Sequence, residues 1–290
     1  MSAKNDTKSL IMLIVSTLIF GTIGIFRRYI PISSAMLACF RGFSGALFLF
    51  LFVLITKRKI RHNIGIKNIL MLVVVGAAIG FNWILLFEAY NYTSVATATL
   101  CYYMEPTIVL LASPIFFKEK LTLKKIICAL IAIVGMIFVS GILDSGAGMG
   151  TNIKGVFCGL GAALLYSSVV IMNKKLAGVD VYEKTVVELF SAAAVLIPYL
   201  LITEDFGSIS LDIKAVVMMF VVGLIHTGLA YALYFGSIDG LLTQTVAIFS
   251  YIDPVTALIL SALILHEGLS VLGLVGAVMI LSAAFFGETG

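Results

Sequence analysis

The chain has 290 residues, of which 61% are hydrophobic and only 12% charged, with a mean hydropathy of +1.14. A soluble domain carries about twice that charged fraction, so a soluble globular fold is excluded. The apolar runs are long and continuous rather than short and alternating, which excludes a β-barrel. The net charge of +4 lies in short segments between those runs, where positive-inside bias accounts for it better than nucleic-acid binding does. Cys39, Cys101, Cys128 and Cys158 all fall inside apolar runs without metal-ligand spacing. They read as buried thiols rather than a disulfide framework.

About 20 residues at 1.5 Å each cross the hydrocarbon core. On that measure the chain gives ten spans: 9–26, 34–56, 68–90, 94–117, 126–143, 153–172, 183–203, 215–236, 240–265 and 272–287. The first has a signal-peptide flavour, followed by Ala35-Met36-Leu37-Ala38, but the internal repeat needs this helix, so it is expected to stay in the mature protein. Residues 144–152, rich in glycine and small polar residues, form the expected linker between halves 1–143 and 153–290. With the N-terminus inside, the inner segments hold Lys4, Lys8, Lys57, Arg58, Lys59, Arg61, Lys67, Lys118, Lys120, Lys124, Lys125, Lys174, Lys175 and Lys184. The outer segments hold Arg27, Arg28, Lys154 and Lys214. Such a bias puts both termini in the cytoplasm. Five is odd, so two five-helix halves must be inverted relative to one another.

The halves also share a motif. Tyr103-Met104-Glu105-Pro106 returns 148 positions later as Tyr251-Ile252-Asp253-Pro254, each near the middle of an apolar run, Ser94–Phe117 and Gly240–Leu265. A carboxylate in hydrocarbon costs roughly 3 kcal/mol on insertion scales, and the proline behind it removes a backbone donor. At the same offset Leu85 pairs with Leu233, Phe87 with Phe235, Ser113 with Ser261, Glu119 with Glu267 and Leu121 with Leu269. Inverted repeats with helices broken at midplane are the framework of alternating-access transporters.

With these residues in view, the chain resembles the EamA-type, ten-helix members of the drug/metabolite transporter superfamily along essentially its whole length. The clearest marks are the two Glu-centred loops, Lys118-Glu119-Lys120-Leu121-Thr122 and His266-Glu267-Gly268-Leu269-Ser270. Phe20-Gly21 is similar to the family's aromatic-glycine pair in the first helix, and Arg41 to an arginine often found in the second. An acid before the proline in both halves departs from many relatives. The resemblance implies an all-α integral membrane protein of ten helices in two inverted repeats, and export more often than import.

Glu105 and Asp253 are the expected substrate-binding and proton-coupling acids, meeting near the pseudo-twofold axis. Their alternative is a structural one, as caps of proline-broken helices or as partners of an arginine. Tyr102 and Ser250 lie next to them on the helices, with Tyr103 and Tyr251 close by. Glu88 sits near the outer end of the third span with Asn82, Trp83, Tyr90 and Tyr92. Trp83 reads either as an interfacial anchor or as a face for a ligand cation. Its symmetric counterpart Tyr231 tilts the balance toward a cavity wall. Arg41 and Glu188, at similar depths in the two repeats, are expected to form a structural ion pair, because an unpaired charge there is costly. His226, with Tyr234 on the same face, reads first as a hydrogen-bonded core histidine and second as a proton carrier. Gly76…Gly80 and Gly155…Gly159 are small-residue faces for close helix packing, with a dimer interface as the alternative. No stretch resembles a phosphate loop, and His266-Glu267 lacks the second histidine of a zinc protease.

The expected function is a secondary transporter that moves a small polar metabolite, amino acid or amine-like, across the plasma membrane. The expected partners are that substrate, a proton and membrane lipid, with no nucleic acid and no cofactor, in a monomer or homodimer. The surplus of Glu88, Glu105, Glu188 and Asp253 over Arg41 favours a substrate with a cationic group. Two other classes stay open. An intramembrane enzyme would use Glu105 and Asp253 as a dyad, but the proline after each acid argues against it. A sensor without net transport is the third.

Overall fold

Six helix starts follow from one kind of residue, a short polar side chain just ahead of an apolar run. Asp6, Ser33, Ser94, Thr122, Asp180 and Asp212 each accept a backbone N–H from the first turn that follows them, which satisfies donors the helix leaves orphaned. The computed structural model describes residues 6–56, 65–118, 120–143, 149–176, 179–208, 211–238 and 240–288. Glu119 and the basic residues Lys57, Arg58, Lys59 and Arg61 lie outside the described residues, as do 144–148 of the expected linker.

Among the described residues the protein is all helical. In chain order the helices are α1 (Thr7–Arg28), α2 (Ser34–Ile55), α3 (Ile66–Tyr92), α4 (Val95–Tyr102), α5 (Glu105–Phe117), α6 (Leu123–Val139), α7 (Met149–Lys175) and α8 (Val181–Thr203). They continue with α9 (Ile213–Phe220), a π-helical turn at Val221–Leu229, α10 (Ala230–Ile238), α11 (Thr243–Ser250), α12 (Ile252–Ile264) and α13 (Val271–Glu288). Because α4 with α5, α9 with α10, and α11 with α12 run on from one another, the helices of the described residues line up as ten rods. Seven are long and apolar enough to cross a membrane by length and composition, from Thr7–Arg28 to Ile213–Ile238. The apolar parts of α11–α12 and α13, Ile248–Ile264 and Val271–Gly287, are shorter. The expected span 126–143 forms as α6, three residues earlier at its start. The helix α7 begins at Met149, inside the segment expected as linker.

The packing pairs change places when the halves are exchanged. Helix α1 packs on α10, the π turn and α12, while α7 packs on α3, α4 and α5. Helix α2 faces α8, and α6 faces α13. Close approach depends on missing side chains: a Cβ on Gly135 of α6 would lie 2.8 Å from the Gly276 carbonyl of α13. The two small-residue faces also pack within the chain, Gly80 against Ala192 and Leu196 of α8, and Gly159 against Cys101 of α4. Many large apolar residues point outward, among them Ile115, Leu130, Ile202 and Val278, as lipid contact requires and water would not favour.

The ends of α5 and α12 repeat a strained turn. Lys118 and His266, 148 positions apart, each take a left-handed backbone at φ 56°, a conformation that costs a non-glycine residue about 1–2 kcal/mol. At His266 the turn sends Glu267 back over its own helix, where its N–H bonds the Ser261 carbonyl at 3.1 Å and its Oε2 accepts from Ser261 Oγ at 2.9 Å.

Candidate functional site

Proline chemistry builds the centre. Pro106 has no N–H to give the Tyr102 carbonyl one turn back, so α4 stops there and α5 restarts at Glu105. Pro254 does the same to Ser250, and α12 restarts at Ile252 with Asp253 in its first turn. Both acids therefore sit at fresh helix N-termini, where the helix dipole favours negative charge.

The two breaks touch across the halves. Tyr103 Oη, at the first break, donates to Asp253 Oδ2, at the second, over 2.8 Å. A ring cluster surrounds this bond. Tyr102 stands edge-on to Tyr103 with centroids 6.2 Å apart, and lies 5.6 Å from Tyr166 of α7. Phe20 of α1 reaches Tyr231 at 5.5 Å and Tyr234 at 6.2 Å. The Tyr102 hydroxyl is within electrostatic reach of Tyr166, Tyr231, Glu105 and Asp253. Deep in the bundle, these tyrosines and both acids still keep accessible surface, so they line a cleft rather than a sealed core.

The acids are held by their backbones as well. A Cβ on Gly21 of α1 would lie 2.6 Å from the Asp253 carbonyl, so only glycine lets α1 and α12 meet there. On the other side Ser167 Oγ of α7 donates to the Glu105 carbonyl at 3.2 Å. Below Glu105 and Pro106 lies a cavity of about 250 Å³, bounded by Ser113, Phe117, Lys125, Lys174 and the end of α13. Among the described residues no group of three or more His, Cys, Asp or Glu is placed to hold a metal ion.

Other expected site residues are placed differently. Trp83 is 4% exposed, so it is no interfacial anchor. The cation on its face is the protein's own Arg41, with Cζ 3.9 Å from the ring centroid. Arg41 Nε donates to Thr227 Oγ1 at 3.1 Å, and the expected ion pair with Glu188 is not formed. The reason is rotational: Arg41 faces α3 and the π turn, while Glu188 faces Asn173 of α7, with Lys184 nearby. Asn82 Nδ2 donates to the Ala162 carbonyl at 2.6 Å, tying α3 to α7. The Tyr251 ring packs on Phe285 of α13. His226 is buried on the π turn, its Nε2 2.7 Å from Thr22 Oγ1 and its Nδ1 3.2 Å from the Val221 carbonyl, a hydrogen-bonded core position. Glu88 accepts from Asn91 near the C-terminal end of α3 and lies within electrostatic reach of Arg27.

Tyr166, Ser167 and Thr227 join the site without having been singled out in the sequence. One signal was available for two of them. At an offset of 146, Phe20-Gly21 of α1 falls on Tyr166-Ser167 of α7, and both pairs serve the same two positions, a ring in the cluster and a small residue on the acid's carbonyl.

At one end of the bundle a polar knot closes three helices. Arg28, ending α1, forms an ion pair with Glu267 and donates to the Thr93 carbonyl at 3.0 Å. Glu267 Oε2 also accepts the Val95 N–H that opens α4, at 2.9 Å.

Comparison with known proteins agrees with this architecture. The profile of the EamA-like transporter family matches twice, over residues 7–141 and 153–287. The Bacillus subtilis (strain 168) protein named "Uncharacterized transporter YxxF" is 28% identical over 260 residues, covering 89% of this chain and 82% of that protein. "Uncharacterized transporter YoaV" of the same organism is 26% identical over 252 residues, 84% of each. A solved crystal structure at 17% identity superposes with a TM-score of 0.68, covering 97% of this chain and 96% of the other, which speaks for the fold alone. Matched in both halves, and built on two halves that meet at their broken helices, the chain belongs to the EamA-like transporter family, within the drug/metabolite transporter superfamily.

Proposed function

We propose that the protein is a secondary active transporter that moves a small polar metabolite with a cationic group by alternating access. In this reading all ten rods span the plasma membrane as two inverted five-helix repeats, with both termini in the cytoplasm. The exchange of packing partners between halves and the paired left-handed turns at Lys118 and His266 support the inversion. One observation carries the functional reading: the Tyr103–Asp253 hydrogen bond, which joins the two acid-proline breaks in one tyrosine-lined cleft. Helix-breaking acids shared by two halves are the arrangement in which rocking of one half against the other changes the side from which the site is reached.

Glu105 and Asp253 take different roles. Glu105 holds the cationic end of the substrate, since Tyr102 and Tyr166 surround its half of the cleft. Asp253, bound by the Tyr103 hydroxyl, exchanges the proton that drives export. His226 and Glu88 stay secondary candidates for proton transfer. The cavity below Glu105 sits toward the basic loops and the Arg28–Glu267 knot at the opposite end, which supports an inward-accessible, outward-closed conformation.

Proteoliposomes loaded with amino acids and amines test this. Asp253→Asn is expected to abolish pH-driven accumulation while leaving substrate exchange, and Glu105→Gln to remove binding itself. Full pH-driven transport by both variants would reduce the acids to helix breakers and sink the reading.

A further inference from the structure

Arg41 carries a charge for which the described residues supply no counter-ion. Its side chain is 4% exposed. Nε is used by Thr227 and the flat face lies on Trp83, with Phe87 behind at 5.5 Å. Neither Nη makes a hydrogen bond to a described residue, and no carboxylate of the described residues lies within ion-pair distance. A guanidinium does not shed its proton to escape burial, and an aromatic face offsets only part of the loss of water. A charged side chain in the membrane interior without a partner marks a functional position whose partner comes from outside the chain.

We propose that Arg41 on its Trp83 shelf binds a carboxylate of the transported substrate, which is therefore zwitterionic. This rests on the reading that the acids of the cleft hold the substrate's cationic end. The stacking on Trp83 and the bond to Thr227 fix the guanidinium plane and leave the two Nη groups as a fork, the donor pattern that takes a planar carboxylate through two parallel bonds. The anionic and cationic poles flank the same rings: Tyr90 and Tyr102 lie within electrostatic reach of both Arg41 and Asp253. A phosphate dianion fits less well, because one arginine would face two negative charges beside two resident acids.

The test uses matched probes on the purified full-length protein: free amino acids, their methyl esters, the corresponding decarboxylated amines, and their N-acetyl derivatives. Thermal stabilisation and counterflow in proteoliposomes are read for each. At least one free amino acid is expected to bind, with its ester and amine weakened about tenfold or more. In Arg41→Gln that preference for acid over ester is expected to collapse to about one, with Arg41→Lys in between. Should Arg41→Gln fail to fold, the acid-to-ester comparison on the wild-type protein decides alone. An ester or amine bound as well as its parent amino acid overturns the Arg41 assignment and leaves the cation site standing. An N-acetyl derivative bound as well as its parent overturns the cation site and with it the zwitterion. Silence across the whole panel overturns the substrate class.

Discussion

At the scale of single residues, the Tyr103 hydroxyl is the contact that converts two helix breaks into one site. Its donor is aimed at Asp253 in a place where water is scarce, and hydrogen bonds to charged groups contribute about 1.5–3 kcal/mol. Tyr103→Phe keeps the ring against Tyr102 and removes only the donor. Transport at saturating substrate is expected to fall roughly tenfold with little change in thermal stability, measured by initial rates in proteoliposomes beside a melting curve. Wild-type rates in Tyr103→Phe would show the bond to be incidental. Arg41 teaches the complementary lesson: its expected partner Glu188 has a similar depth, yet depth alone does not decide which way a side chain points around its helix.

At the scale of elements, two contacts hold the broken helices. Gly21 lets α1 lie on the first turn of α12, and Gly21→Ala would set a methyl group 2.6 Å from both the Asp253 carbonyl and Thr256 Cβ. Overpacking of this kind costs roughly 1–3 kcal/mol, so a lowered melting temperature and impaired transport are expected together. An unchanged melting curve would mean that α1 and α12 part freely. The second contact is the knot at Glu267, which ties the ends of α1 and α12 to the start of α4. The pair is partly exposed, with side chains 30% and 22% accessible, so it is worth about 1 kcal/mol. In a cysteine-free background, Glu267→Gln is expected to raise labelling of Ser94→Cys by an impermeant thiol reagent severalfold. Equal labelling with and without Glu267 would deny it a part in closing that end.

At the scale of the whole molecule, inversion of the halves predicts opposite sides for equivalent loops. On intact cells an impermeant reagent is expected to label Gly268→Cys and spare Lys120→Cys, and the reverse pattern would overturn the proposed topology. Membrane class, the break points and the presence of two halves were legible in the sequence, because long apolar runs and a proline after a buried acid act locally and leave a one-dimensional trace. Asp253 and Glu105 could be singled out on that basis. What only the tertiary structure decided was which side chains meet: Tyr103 with Asp253, Arg41 with Trp83 and Thr227, His226 with Thr22, and Tyr166 with Tyr102. These helices are apolar on nearly every side, so no polar stripe in the sequence tells the inner face from the lipid face. Partners more than a hundred positions apart, such as Tyr103 and Asp253, depend on how each helix is rotated about its axis. That rotation is set by glycine contacts such as Gly21 on α12, and by the nine-residue π turn that carries His226 and Thr227, neither of which a hydrophobic pattern records.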